Sequence, residues 1–161
     1  MFERELTIYR FLTGYEKIVL ADLPDEQFNQ PPFPGGNPPS WIVGHLALSS
    51  DFVLMVLDKP RLCPKSWNVL FGPGSDPRKH LDKHPRKEEL VAALGIGKEA
   101  VFREVPGASP DLLTKVNPFE PLRQYLPTAG DLITHLLTSH ESFHLSQLSA
   151  CRRSAGFTPV F

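Results

Sequence analysis

Apolar positions recur at three- and four-residue spacing in four segments of the chain, with polar, proline-rich stretches between them. That period belongs to amphipathic α-helices and not to strands. The first segment runs roughly from Phe2 to Ala21. Leu6, Tyr9, Leu12 or Thr13, Glu16 and Val19 trace one stripe, and Ile8, Phe11, Tyr15 and Ile18 trace the next. Gly14 weakens this helix a little, and Pro24 ends any continuation. The second runs from about Pro39 to Leu57 and stops before Lys59-Pro60. Asn37 or Ser40 can cap its start, where proline is also welcome. Its interior, Trp41 to Leu48, is apolar except for His45, with Ser49 one turn on.

The third segment opens at Pro85 and continues to about Val105. Leu90, Leu94, Val101 and Val105 mark its inner face, and Glu88 and Glu89 suit the positive end of the helix dipole. Gly95 and Gly97 permit a kink. Ser109-Pro110-Asp111 caps one or two turns through Lys115. The fourth segment reads as one helix from Thr128 to Ala155. Thr128 and Asp131 form a capping box with Asp in place of Glu, Arg152 and Arg153 suit its C-terminal end, and Gly156 stops it.

The connections are Gln30–Asn37, Pro60–Pro85 and Asn117–Pro127, and most of the 17 prolines fall in such stretches. Four helices and no convincing strand predict an all-α four-helix bundle with long proline-rich connections, one domain over residues 1–161. The connections are long enough to leave parallel and antiparallel neighbours equally open.

Charge narrows the partners. Seventeen basic residues against 18 acidic ones give a formal net charge of -1, without the basic footprint of a nucleic-acid or membrane-surface protein. Met1 to Glu5 is charged and carries no apolar core, so no signal peptide is expected. The longest apolar run, Phe52 to Leu57, is far too short to span a bilayer. Cys63 and Cys151 give no disulfide framework. These features predict a soluble, cytoplasmic protein.

The candidate chemistry sits in the fourth segment, at His140-Glu141-Ser142-Phe143-His144. Two histidines four apart on a helix are offset by about 40° around the axis and about 6 Å along it, so both imidazoles can reach one point. The letters also fit H-E-x-x-H, in which the Glu is a general base. A metalloprotease needs a third ligand, usually downstream, and residues 145–161 hold no Asp, Glu or His. Cys151 lies about 10 Å beyond His144 along the helix. A third ligand must come from upstream, where His45 is the inward-facing candidate. A lone histidine on so apolar a helix is more often a satisfied core residue than a ligand, and the two readings stand side by side. Asp76 or Glu120 in its place would restore the peptidase reading. His80 and His84 also have four-residue spacing, but Pro85 biases His84 away from the α conformation, so they read as solvated loop histidines. His135 lies about 140° from His140 around the helix and reads as a surface or packing residue. Three imidazoles from His45, His140 and His144 would make a neutral site with an open position.

Trp41-Ile42-Val43-Gly44-His45-Leu46-Ala47, with His140, His144, Gln147-Leu148 and Arg152-Arg153-Ser154-Ala155-Gly156, resembles the DinB/YfiT-like superfamily over the whole chain. Ser146 stands where the family commonly has Gly. The resemblance implies a four-helix bundle holding a divalent metal ion, zinc or nickel, through His45, His140 and His144. It implies a small-molecule substrate, with a low-molecular-weight thiol among the candidates, and a homodimer. Some members are thiol transferases, some thiol-dependent isomerases, and many are classed as hydrolases without a known substrate. An imidazole-held ion with an open position lowers the pKa of bound water to about 7 or stabilises a thiolate. The expected function is therefore metal-dependent thiol transfer or hydrolysis; the alternative is a non-catalytic metal-binding or stress-linked interaction module. Glu141 is a candidate base, although a Glu on a helix flank is more often solvated. Gln147 is a candidate hydrogen-bond partner for a ligand, and Cys151 reads as a small buried residue. A polar, reachable pocket beside the metal favours an enzyme; a site sealed by Trp41, Phe143 and Leu148 favours a structural role.

Overall fold

The computed structural model describes residues 1–160. It has helices α1 (Glu3–Asp22), α2 (Pro39–Val56), α3 (Trp67–Phe71), α4 (Lys87–Glu104), α5 (Pro110–Leu113), α6 (Ala129–Leu137) and α7 (Ser139–Ser154). No strand occurs among the described residues; Val116 and Thr128 form an isolated antiparallel bridge. The bundle is made by α1, α2, α4 and the α6–α7 pair, as the four apolar segments predict.

Helix α2 is the centre. Val43, Ile42 and Leu46 have no exposed surface, and most of its other residues are buried as well. By length and composition it could cross a membrane, but 83% of it is buried inside the bundle. The core accounts for its apolarity. Helix α4 packs closely along it. A Cβ on Gly97 would lie 2.9 Å from the Ser50 Cβ, so this glycine lets two helix backbones approach. On α1 the stripe of Tyr9, Leu12, Glu16 and Val19 is the buried one. Ile8, Phe11 and Ile18 of the second stripe remain exposed.

The fourth segment departs from expectation. It is two helices, broken at Thr138, which takes φ -123 and ψ -84. Thr138 Oγ1 donates to the Thr134 carbonyl at 2.6 Å. Such a back-bond competes with the helical ladder and bends helices. The start of the segment is as expected: the Thr128 hydroxyl accepts from the Asp131 amide, and the Asp131 carboxylate accepts from the Thr128 amide.

Two connections shape the site. The stretch 60–85 contains α3, whose Trp67 and Phe71 are buried against α2. Its end is fastened by His84, expected to be solvated and in fact buried: its Nδ1 lies 2.9 Å from the Ser40 hydroxyl. The ring also packs on Phe71, 4.8 Å between centroids. His84 keeps the extended backbone that Pro85 requires. The 117–127 crossing is pinned by buried Asn117, whose Nδ2 donates to the Leu126 carbonyl at 2.8 Å. Its Oδ1 accepts from the Phe119 amide at 2.7 Å.

Candidate metal centre

Helix α2 supplies His45, and α7 supplies His140 and His144 at the four-residue spacing that places two imidazoles on one side. One nitrogen from each ring lies within 4.8 Å of the others. His45 Nε2 and His140 Nε2 are 3.1 Å apart.

The chain orients these rings from behind. His45 Nδ1 lies 2.7 Å from the Phe71 carbonyl oxygen, which can only accept. The proton therefore sits on Nδ1 and leaves Nε2 as a bare lone pair facing His140. The Phe71 carbonyl comes this close because residue 44 is glycine: a Cβ there would lie 2.5 Å from the Phe71 ring. The sequence Gly44-His45 thus couples a packing space to a ligand's tautomer. Trp41, one turn earlier, stacks on His45 with 4.7 Å between centroids and 8° between planes, and its Nε1 donates to the Ser75 hydroxyl. His144 Nδ1 donates to Gln147 Oε1 at 3.0 Å, which leaves His144 Nε2 free to ligate. Such outer hydrogen bonds fix the tautomer and ring angle of metal-binding histidines. His140 Nδ1 is buried and makes no hydrogen bond among the described residues.

Electrostatics keep the rings neutral. Burial, and after it the neighbouring imidazoles, pushes His140 down to about 2. Burial and then His45 push His144 down to about 4, against the Gln147 hydrogen bond. Burial lowers His45, against the Phe71 carbonyl. Neutral imidazoles with converging lone pairs repel one another and gain from a shared cation. The donor set, its protonation and its outer hydrogen bonds all fit a divalent metal ion.

A cavity of about 310 Å³ opens onto His45 and His140. Leu48, Phe52, Met55, Leu132 and Leu136 give it apolar walls, Phe119 and Leu122 from the 117–127 crossing close over it, and Asp51, Arg61 and Asn68 also line it. The site is therefore not sealed. Trp41 and Leu148 are buried, but Phe143 is exposed beside His144.

Two sequence readings need correction. His135 lines the same cavity, with its ring centroid 5.6 Å from that of His140, and its Nδ1 lies 2.7 Å from the Ser139 hydroxyl. The break at Thr138 invalidates the continuous-helix angle that kept it apart. Glu141 is not a solvated flank residue. It is buried, faces away from the histidines and pairs with Lys98, which also binds Glu16 at 2.9 Å. Burial works against the Lys98 charge, but the Glu141 and Glu16 carboxylates outweigh it and hold its pKa above the ordinary value. Lys98 is not among the candidate residues of the sequence analysis. Its signal was its place between Leu94 and Val101 on the inner stripe of α4, with Glu16 likewise on the inner stripe of α1. Cys151 is a buried residue, as expected. Asp76 and Glu120 stay outside the histidine cluster, Asp76 paired to Arg78 and Glu120 exposed.

The family profile described as the DinB superfamily matches residues 17–148, a span that includes His45, His140 and His144. No curated protein and no solved structure matches the chain.

Proposed function

Because the chain belongs to the DinB superfamily, often a metal-binding family, we propose that it is a metal-dependent enzyme acting on a small molecule. The reaction is thiol transfer or hydrolysis, and zinc or nickel is held by His45, His140 and His144. The observation that carries this reading is the convergence of three neutral imidazoles, two of which line a cavity large enough for a small ligand. A divalent ion held there would supply Lewis acidity, activating water or a thiol at neutral pH. The chain's own residues do the rest. Phe71 and Gln147 hold two ligand rings in the metal-binding tautomer. The apolar walls keep bulk water from the reacting groups and strengthen every charge interaction inside. His135 offers the cavity an imidazole outside the ligand set. Glu141 has no part in the chemistry, since Lys98 and Glu16 engage it, and the peptidase reading loses its base. The low-molecular-weight thiol substrate and a homodimer belong to the same proposal by family likeness, and the cytoplasmic location by composition.

Metal content tests the reading. Tag-free protein should carry about one ion per chain by mass spectrometry, as a three-histidine site with one ion requires, and His45→Ala should carry almost none. A metal-free parent that cannot be loaded, or a variant that loads as well as the parent, would leave a helical bundle with core histidines and withdraw the enzyme. With the metal established, thiol transfer and hydrolysis are assayed in turn. Failure of both across a broad substrate panel favours the non-catalytic metal-binding module.

A further inference from the structure

The polar groups that line the cavity fall into two sets by their contacts: His45, His140 and His135, whose rings neighbour one another, and Asp51, Arg61 and Asn68, which are hydrogen-bonded together. Asp51 follows His45 by six residues on α2, about 9 Å along the axis. Its carboxylate is buried and accepts from the Leu62 amide at 2.7 Å, from the Cys63 amide and from Arg61 Nε at 3.1 Å. Arg61 Nη2 also donates to Asn68 Oδ1 at 3.2 Å. The guanidinium is thus clamped from two sides at the rim of the cavity, with about a third of its side chain exposed. Of the five N–H donors of an arginine, these bonds use two, and Arg61 makes no other hydrogen bond among the described residues.

We propose that Arg61, clamped by Asp51 and Asn68, is the anion subsite of this cavity, and that it selects a small, otherwise apolar carboxylic acid whose far end reaches His45 and His140. The assignment rests on the reading of the cavity as the substrate pocket. A planar guanidinium with donors to spare matches a carboxylate as a fork. A bound carboxylate would share this one cation with Asp51, and a phosphate dianion would add a further uncompensated charge beside that buried carboxylate. The walls Leu48, Phe52, Met55, Leu132 and Leu136 demand a hydrocarbon body. A clamped arginine also loses little freedom on binding, which favours affinity.

Octanoate and octanol, equal in chain and different in head group, are the probes. Binding is followed by calorimetry on the parent as purified, on Arg61→Gln, Arg61→Lys and His140→Ala, with metal content measured on every sample. The parent should bind octanoate about tenfold more tightly than octanol, the scale of one charged hydrogen-bond pair. Arg61→Gln should bring the ratio near one with octanol affinity unchanged, which also shows the cavity intact. Should Arg61→Gln fail to fold, Arg61→Lys decides: a ratio reduced severalfold supports the fork, and a full ratio overturns it. A preference that survives Arg61→Gln and vanishes in His140→Ala puts the carboxylate at the histidines and overturns the assignment. Equal binding of the two probes in the parent overturns it too, as does binding of neither. A metal-loaded parent in either case leaves the metal reading standing, while a metal-free parent that keeps the octanoate preference separates the failure of that reading from this one.

Discussion

His140 and Glu141 are neighbours on α7, yet they belong to opposite kinds of polar cluster. His140 joins His45 and His144, three neutral rings whose inner nitrogens converge, with His45 Nε2 and His140 Nε2 3.1 Å apart. Glu141 joins Lys98 and Glu16, a buried cation between two carboxylates, with the Lys98 ammonium 5.1 Å from the Tyr9 ring centroid. The second cluster satisfies itself and ties α1, α4 and α7 together. The first satisfies the outer nitrogens of His45 and His144, leaves His140 Nδ1 unpaired, and turns the inner nitrogens toward one another. Buried polar groups are paired unless something else is meant to pair them. The difference between the two clusters therefore separates a structural device from a site.

Substitution of one member in each cluster breaks the comparison most directly. His140→Ala should abolish metal binding while costing the metal-free fold about 1 kcal/mol, the ordinary scale for a point mutation. Lys98→Ala leaves two buried carboxylates without their cation and should cost about 3–5 kcal/mol. Urea unfolding of the chelated proteins measures both costs, and metal content at low temperature measures the site. If Lys98→Ala left stability unchanged and removed the metal, the two clusters would be one functional unit.

Gly44→Ala comes next in size. The added methyl meets the Phe71 ring at 2.5 Å, and forcing atoms into a packed core costs about 1–3 kcal/mol. Displacement of Phe71 also pulls its carbonyl from His45 Nδ1, so metal affinity should fall about 10–100-fold, the range for loss of an outer hydrogen bond to a ligand. A competitive chelator titration reads this. Unchanged affinity would mean that His45 needs no fixed tautomer. Gln147→Leu should weaken the metal by about tenfold and stability by less than Gly44→Ala, because Gln147 is only half-buried and its volume is kept. Equal metal affinity in this variant would reduce Gln147 to packing.

How much of this was legible in the sequence follows from the range of the forces involved. The four apolar segments, the Thr128 capping box and the pair His140 and His144 are short-range facts of spacing, and each is present in the structure. The juxtaposition of His45 with that pair is a long-range fact; the family motif pointed to it, and periodicity alone left it open. The break at Thr138 is decided by one hydroxyl choosing a carbonyl, and that choice moved His135 to the cavity. For Glu141 and His84 the local sequence predicts solvation, because polar residues are usually exposed. Their partners, Lys98 and Ser40, lie 43 and 44 residues away, beyond the reach of any local pattern. The clue that was available, a lysine on the inner face of α4, concerned the Glu141 cluster and not the metal site.

The smallest effect separates the clusters by the sign of their pH dependence. His144 and His140 have folded pKa values of about 4 and about 2, below the unfolded value of about 6.5. As pH falls through 6.5 the unfolded chain takes protons that the folded one refuses, so this contribution is present above pH 6.5 and declines toward acid. Glu16 behaves in the opposite sense. Burial, against the Lys98 charge, raises its pKa above the unfolded value of about 4.3. Above the unfolded value the folded chain holds the extra proton, so stability from this group falls as pH rises through the folded pKa. In the metal-free protein the two contributions therefore slope in opposite senses with pH. His144→Ala should flatten the acid side alone and Glu16→Gln the alkaline side alone, measured by urea unfolding across pH 5 to 8, a window set by these shifts. The histidine half has a further consequence. Rings already free of protons have none to release, so zinc binding at pH 7 should liberate well under one proton per ion, as calorimetry in buffers of different ionisation enthalpy would show. Release of two or more protons would mean that the imidazoles are protonated before the ion arrives, and that the neutral, converging arrangement forms only with it.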